Sequence, residues 1–555
     1  MPLPSSPAPT APEAPPTLWT PFTYAMFRAI WIASVVSNIG TWMQNVAGVW
    51  LVTTLTSSAL LVALMQTATS LPAFLLSMPA GAMADLIDRR RLLLLTQAFM
   101  AVVALLLGVL TLLGEISALG VLAFTFLLGI GAAINAPVWQ TVTVELVPRR
   151  VLGFAITLNG VSNNIARALG PAIGGAIIAY YSPGWVFLVN AVSFLGTFAV
   201  VYAWKREAEV SSGPMENFVG ALRAGLRYVQ YSPAIYAVLV RTFAFAFGAS
   251  AMWGLLSVVT ARRLHLSSDT YGVLLSWLGA GAITGAFLMG RAGNQLTYNQ
   301  RVLIGSAVFV GTNVALALVS SVYWLYPVMF FSGIAWLMTM TSFSTTVQLH
   351  VPKWVQARVV SLYMLVFQAG LSFGSMVWGE LADRTSLETA LLATAAWMLL
   401  SLLLAIPYPM RSAEGLNLEP ADHWPAPAVP GPDIDPDDGP VVVMVEYEVA
   451  VADQPAFREA AAQLTRLRLR DGSLRAGVFT DIARPTRITE FFYVATWGEH
   501  QRQQQRFTKE DQAVEARVRQ FHTAPEPPRV TRFLAFPKSL NVEMTPTYET
   551  GEGPQ

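Results

Sequence analysis

Twelve apolar segments fill most of residues 22–410 and limit what this chain can become. They run over about 27–53, 58–84, 92–113, 118–146, 153–181, 184–204, 233–260, 270–291, 301–320, 322–349, 356–382 and 387–408. A hydrocarbon layer about 30 Å thick is crossed by about 20 helical residues, and each segment is long enough. Lipid offers no water to backbone N–H and C=O groups, so a crossing segment must pair them internally as a helix. Composition agrees. Hydrophobic residues make up 54% and charged residues 12%, against roughly 25% charged in soluble globular domains. A net charge of +1 gives no electrostatic footprint for nucleic acid. The absence of cysteine removes disulfides, iron–sulfur clusters and thiol catalysis. The lysines are Lys205, Lys353, Lys509 and Lys538, and none follows a glycine, so no nucleotide P-loop forms and no cofactor is implied.

Basic residues set the expected orientation. Alternate loops on one side carry Arg89, Arg90, Arg91, Arg149, Arg150, Lys205, Arg206, Arg223, Arg227, Arg291, Arg301, Lys353 and Arg358, whereas the other side has Arg262, Arg263 and Arg384. The rich side is the cytoplasmic one, which places both termini in the cytoplasm. The two halves also repeat at an offset of 204: Gly81 meets Gly285, Gly129 meets Gly333, Pro148 meets Pro352, and Gly170 and Gly175 meet Gly374 and Gly379. The expected fold is an all-α membrane protein of twelve transmembrane helices in two six-helix pseudo-repeats, with a ligand site between the halves, plus a C-terminal α+β ferredoxin-like domain.

Composition divides the chain further. Residues 1–21 form a disordered Pro-rich tail without a signal-peptide pattern. Residues 22–204 and 233–410 are the two bundles, and 205–232 is a cytoplasmic loop. In that loop Phe218, Leu222, Leu226 and Val229 recur at helical spacing, which reads either as an amphipathic helix on the membrane surface or as a tether. Residues 411–440 are a Pro/Asp-rich linker, 441–536 a water-soluble domain and 537–555 a disordered tail. Strands are expected over 441–450, 475–482, 487–497 and 529–536, with helices over 455–470 and 499–522, a βαββαβ order.

Polar residues inside apolar segments mark candidate functional positions. Asn38, Trp42 and Asn45 share a face of the first segment, joined by Gln66, Asn135 and Trp139. Arg241, Phe245, Gly248 and Met252 form a stripe in the seventh. Together they outline an aromatic, amide-lined cavity with some positive charge, suited to amphipathic or anionic cargo. Arg167 lies deep in the fifth segment and either binds an anionic group or pairs with helix carbonyls. Its neighbours Gly170, Pro171, Gly174 and Gly175 read as one smooth helix face with a kink. No carboxylate or histidine lies near mid-membrane; Asp85, Glu145, His350, Glu380 and Asp383 are all near segment ends.

The stretch GAMADLIDRRR (81–91) resembles the loop between the second and third helices of the major facilitator superfamily, G-x-x-x-D-[RK]-x-G-[RK]-[RK]. Gly81, Asp85, Arg89 and Arg90 match, while Leu86 and Asp88 replace a basic residue and a glycine. The D-x-x-D-R-R-R variant, with SNIGTWMQNVAGVWLVTTLTSSAL (37–60) and INAPVWQTVTVELVPRRVLGFAITLNGVSNNIARALGPAIGG (134–175), resembles the branch containing the enterobactin exporter and related drug exporters. The resemblance implies that Asp85 meets the start of the eleventh helix near Arg358 when the cytoplasmic side is shut. Glu145 is the expected partner of Arg89 or Arg90. G-P-x-x-G-G at 170–175 is similar to the antiporter motif of exporting members. The resemblance also implies proton antiport, although Thr125 stands where the family has an arginine.

The soluble domain, above all VATWGEHQRQQQRFTKED (494–511), resembles the antibiotic-biosynthesis monooxygenases. Those small oxygenases use Asn and Trp side chains. Residues 441–536 hold no Asn, though Trp497 and His500 are present, so binding, dimerisation or regulation is expected and catalysis is not. The chain is expected to be a non-enzymatic exporter in a bacterial inner membrane, moving a drug or siderophore-like molecule. The alternatives are a lysolipid flippase and a membrane sensor that signals through its tail.

Overall fold

The computed structural model describes residues 17–204, 218–292, 295–410, 416–421 and 434–535. Most of the Pro-rich tail, the start of the central loop, most of the linker and the C-terminal tail lie outside the described residues, as do the side chains of 77–86, including Gly81 and Asp85. The apolar segments form helices: α1 (Ala25–Leu55), α2 (Ala59–Leu86), α3 (Arg89–Leu113), α4 (Ala118–Leu146), α5 (Leu152–Tyr180) and α6 (Pro183–Ala203). After a short α7 (Phe218–Gln230) come α8 (Pro233–Val258), α9 (Ser268–Ala292), α10 (Tyr298–Leu318), α11 (Val322–Leu349), α12 (Lys353–Arg384) and α13 (Leu387–Leu402).

Ten of the described helices are long and apolar enough to cross a membrane. At 31 and 29 residues, α1 and α5 are long enough but not apolar enough. Their deficit is chemical: α1 holds Ser34, Ser37, Asn38, Thr41, Gln44 and Asn45, and α5 holds Asn159, Ser162, Asn163, Asn164 and Arg167. The outward faces tell the same story from the other direction. On α3, Leu95, Val102, Leu106 and Leu113 are exposed, while Leu93, Ala104 and Leu107 are buried. A helix apolar on both faces is solvated by hydrocarbon outside and protein inside. Its start is set by Asp88, whose carboxylate accepts the Arg91 N–H at 2.9 Å. The residue that departs from the family glycine thus serves as a helix cap.

The described residues fall into two compact units. The first takes the described part of Met1–Gly213 with Val238–Thr345 and Tyr363–Arg411. Within it, helices of the two halves meet along seams of small residues. A Cβ on Gly175 would lie 2.7 Å from the Ser268 carbonyl oxygen, and one on Gly272 2.4 Å from that of Pro171, so α5 and α9 touch backbone to backbone. A Cβ on Gly379 would lie 2.9 Å from Leu60 Cα, and Thr67 donates to the Ser372 carbonyl at 3.1 Å, joining α2 to α12. The glycines of 170–175 do not form one face. Gly170 and Gly174 pack on Trp42 and Met43 of α1, and Gly175 turns to α9, because it sits about 100° further round the helix than Gly174.

One end of these seams is latched by charge. Arg262, just after α8, donates to the carbonyls of Thr56 (2.6 Å) and Ser57 (2.7 Å) at the C-terminal end of α1. Asp383, near the end of α12, accepts the Leu60 N–H at 3.0 Å, the Ala59 N–H and the Ser58 hydroxyl at the start of α2. A cation at a helix C-terminus and an anion at an N-terminus each complement the helix dipole, at about 1 kcal/mol apiece. Beneath them the hydroxyls of Thr53 and Ser257 share a hydrogen bond of 2.9 Å.

The second unit takes the described part of Pro214–Ala237, Thr346–Leu362 and Ser412–Gln555. It contains β1 (Val441–Glu448), α14 (Gln454–Asp471), β2 (Arg475–Thr480), β3 (Arg487–Val494), α15 (Trp497–Arg506), α16 (Lys509–Arg519) and β4 (Arg529–Leu534). The strands form one antiparallel sheet in the order β2-β3-β1-β4, with Val441 opposite Val494 and Leu534. Alternate residues Val441, Val443, Val445 and Tyr447 face Phe457, Ala461 and Leu464 of α14 in a common core. The single helix expected over 499–522 is two helices. Thr508 and Asp511 form a capping box that starts a new helix, and Phe507 before it is buried.

Two outcomes test this packing. A Cβ on Gly333 would fall 1.9 Å from the Leu278 carbonyl oxygen, whereas one on Gly311 meets nothing within 4 Å. Gly333→Ala should therefore lose about 1–3 kcal/mol in a thermal or denaturant melt of the purified protein, and Gly311→Ala almost none. Since the chain has no native cysteine, Thr53→Cys is a background-free reporter of the latch. Adding Asp383→Ala should speed its labelling by an impermeant thiol reagent about fivefold; equal rates would show that the latch holds nothing.

Candidate functional site

The polar residues of α1 and α5 converge on a cavity of about 860 Å³, within the ordinary range of small-molecule sites. Its described walls come from α1 to α6, and include Asn38, Gln44, Asn45, Gln97, Asn135, Trp139, Asn159 and Asn163. Much of the lining is held in place by neighbouring polar groups. Asn38 donates to Ser162 Oγ at 3.2 Å, Thr96 to Asn135 Oδ1 at 3.1 Å, and Asn159 to Thr143 Oγ1 at 3.0 Å. A smaller cavity of about 210 Å³ shares Gln44, Asn45, Thr69 and Thr125 with the first, and draws walls from both halves: Trp42 and Gln66 from one, Trp253, Tyr271, Trp336 and Phe367 from the other. Its aromatic rings touch in series, Trp42 to Trp253 at 6.4 Å and Trp253 to Trp336 at 5.4 Å.

The first cavity reaches Phe27, Leu146 and Ile156. These lie at the start of α1, the end of α4 and the start of α5, the end of the unit that bears Arg89 and Arg150. The Arg262 and Asp383 latch closes the opposite end of α2. The described residues that line the two chambers carry no charge, so the expected positive lining is corrected. Arg241 is 4% exposed and donates to Asn299 Oδ1; Phe245 is sealed among Phe309, Trp336 and Phe343, and Met252 is fully buried. That stripe of α8 faces the core of the second half, because helical spacing identifies a shared face but not its neighbour. Trp253, one position on, faces the chamber and was not singled out in the sequence. Arg167 lies with its guanidinium 5.6 Å from the centre of the Trp42 ring, outside the lining of both chambers.

The arginines expected at a gate stay within one half. Arg89 pairs with Glu145, linking α3 to α4, and Arg90 donates to the carbonyls of Val201 and Tyr202 at the end of α6. Glu145 thus lies against Arg89, and neither contact joins the two halves. Arg358 lies beside α7: a Cβ on Gly225 would be 3.2 Å from Arg358 Cβ.

In the second unit, α7 is gripped by the sheet domain. Arg227 donates to the Gly472 carbonyl at 3.3 Å and sits 3.6 Å from Glu499. Arg470 lies over the Tyr228 ring at 5.3 Å and Arg506 over Trp354 at 4.5 Å. Beneath, Arg470 bridges Asp471 and Asp511, and Arg468 bonds Glu490 at 3.1 Å. Burial works against the Glu499 charge, but Arg506 and Arg502 overcome it and hold its carboxyl below the usual range. His500 is pushed down to about 4, first by burial and then by Arg532 and Arg468, so it is neutral at physiological pH.

With this geometry in view, similarity to known proteins can be read. The model of the transmembrane secretion effector family matches residues 16–539. The enterobactin exporter EntS of Citrobacter koseri is 23% identical over 399 residues, 69% of this chain and 92% of that protein. The staphyloferrin A transporter of Staphylococcus aureus is 29% identical over 170 residues, a match that spans 30% of this chain and 43% of that transporter. Among solved structures, the nucleoside transporter NupG superposes with a TM-score of 0.58 at 11% identity, covering 70% of this chain and all (100%) of that one. A bacterial homologue of the lysosomal transporter Spinster, inward-facing and occupied, gives 0.55 at 15% identity over 70% of this chain and 97% of that one. The chain is a multi-pass membrane transporter and belongs to the transmembrane secretion effector family of the major facilitator superfamily.

Proposed function

We propose that the protein is a secondary active exporter of a small drug-like or siderophore-like molecule in a bacterial inner membrane. All twelve long helices cross the bilayer, the halves are pseudo-repeats, and both termini lie in the cytoplasm. One observation carries this reading: a large cavity reaches the arginine-rich end of the bundle, while the other end is shut by Arg262 and Asp383. By the positive-inside preference this is the cytoplasm-facing state of an alternating-access cycle. Transport proceeds as the halves rock along the α2–α12 and α5–α9 seams, releasing the outer latch while the inner rim closes. Asp85 and Arg358 then take part in closing that rim, as the resemblance implies. Arg167, Gly170, Pro171, Gly174 and Gly175 keep α5 close-packed through the movement.

Coupling to a proton gradient is part of the proposal. No described lining residue titrates in the physiological range, so the proton is carried outside the chambers, with Asp85 and Glu145 as candidates. Residues 441–536 form a ferredoxin-like domain, supported by the strand order. It regulates transport through its grip on α7 and on the start of α12. Self-association would run through the same residues.

Cells producing Asp85→Asn or Glu145→Gln should retain at least threefold more of an exported dye than cells with the unaltered chain. Collapsing the proton gradient with an ionophore should abolish that difference, and Arg506→Ala should change retention with Trp354 left in place. Equal retention by all of these cells would reject export.

A further inference from the structure

The two chambers differ in chemistry, and two of their polar atoms lack a partner. Gln97 is 2% exposed and lines the larger chamber, yet its Oε1 accepts no hydrogen bond. The Nε1–H of Trp253, buried in the wall of the smaller chamber, donates to nothing. A buried polar atom left unpaired costs free energy that a bound molecule with the complementary group recovers. The wall of the larger chamber therefore holds an unmet acceptor, that of the smaller one an unmet donor on one of its three indole rings, and neither lining offers a described counter-charge.

We infer that the cargo is an uncharged molecule rich in amide or hydroxyl groups and ending in one flat aromatic ring. The ring seats against Trp42, Trp253 and Trp336, and the polar part extends among Asn38, Asn45, Asn135, Asn159 and Asn163. This rests on the transport reading above. Amide side chains donate and accept alike, so they suit a chain of amides or hydroxyls. Indole faces suit a flat ring, stacked or edge-on. A carboxylate in the same place would give up its water with no cation in the lining to replace it, and it would disfavour binding strongly. The competing source of positive charge is Arg167, 5.6 Å from the centre of the Trp42 ring and outside the described lining of both chambers.

Matched probes separate these cases: 2-naphthoyl-triglycine amide and the corresponding free carboxylate, titrated into the purified full chain in nanodiscs and read by tryptophan-to-naphthyl energy transfer. The amide should bind at least tenfold more tightly than the carboxylate. Trp253→Phe, which keeps the ring and removes the donor, and Gln97→Leu, which removes the acceptor, should each weaken the amide about three- to tenfold. The inference is overturned if the carboxylate binds equally or better, if its binding is lost in Arg167→Gln, if both variants leave the amide unaffected, or if neither probe binds. Movement of the bound amide across proteoliposomes is a separate readout. Binding in the expected pattern without movement would defeat the export reading and leave this ligand class standing.

Discussion

Close backbone approach between the halves is the constraint on which the rest depends. Glycines at 175 and 272 bring α5 and α9 together backbone to backbone, and Gly379 leaves only small side chains between α2 and α12. A seam of glycines and small side chains can slide or tilt with few atoms to displace, whereas a seam of interlocked leucines is fixed by its packing. Lipid supplies no hydrophobic drive to hold the halves together, so their association rests on these van der Waals contacts and on a few polar links. The Thr67–Ser372 and Thr53–Ser257 bonds, with the Arg262 and Asp383 latch, are such links. Each is worth little singly, and a gate built from small terms can be reversed by the binding of one ligand.

The same economy explains where polarity is placed. An amide buried in a bilayer is costly unless satisfied. The structure collects Asn and Gln side chains from α1, α4 and α5 in one place, where they bond neighbouring hydroxyls or face a cavity. The two helices too polar to qualify as spans both line that cavity. In the second unit polarity is handled differently. Arginines are buried against carboxylates and laid over aromatic rings, linking α7 and Trp354 to the sheet. Removing one partner of such a pair would leave the other charge buried and uncompensated.

Much of this was legible in the residues. Segment length located the helices to within a few positions. Asn38, Asn45, Gln66, Asn135 and Trp139 all line a chamber. The misses have physical causes. Arg241, Phe245 and Met252 share a helix face, yet periodicity does not say which neighbour that face meets. Asp383 and its partners are more than 300 residues apart, a contact that only the tertiary fold creates. Asp88 looked like a departure from a motif, although an aspartate three residues before Arg91 is a capping signal. The Thr508–Asp511 box was equally visible, and would have divided the helix expected over 499–522.

The central claim is that the halves tilt about smooth seams while the Arg262 and Asp383 latch opens. Distances between spin labels on Ser57→Cys and Arg384→Cys, measured by double electron–electron resonance in nanodiscs, test it most directly. The account predicts two distance populations, a short one with the latch closed and a longer one several ångströms away, with the longer gaining weight in Asp383→Ala. A single short distance, unchanged by that substitution and by added ligand, would contradict it.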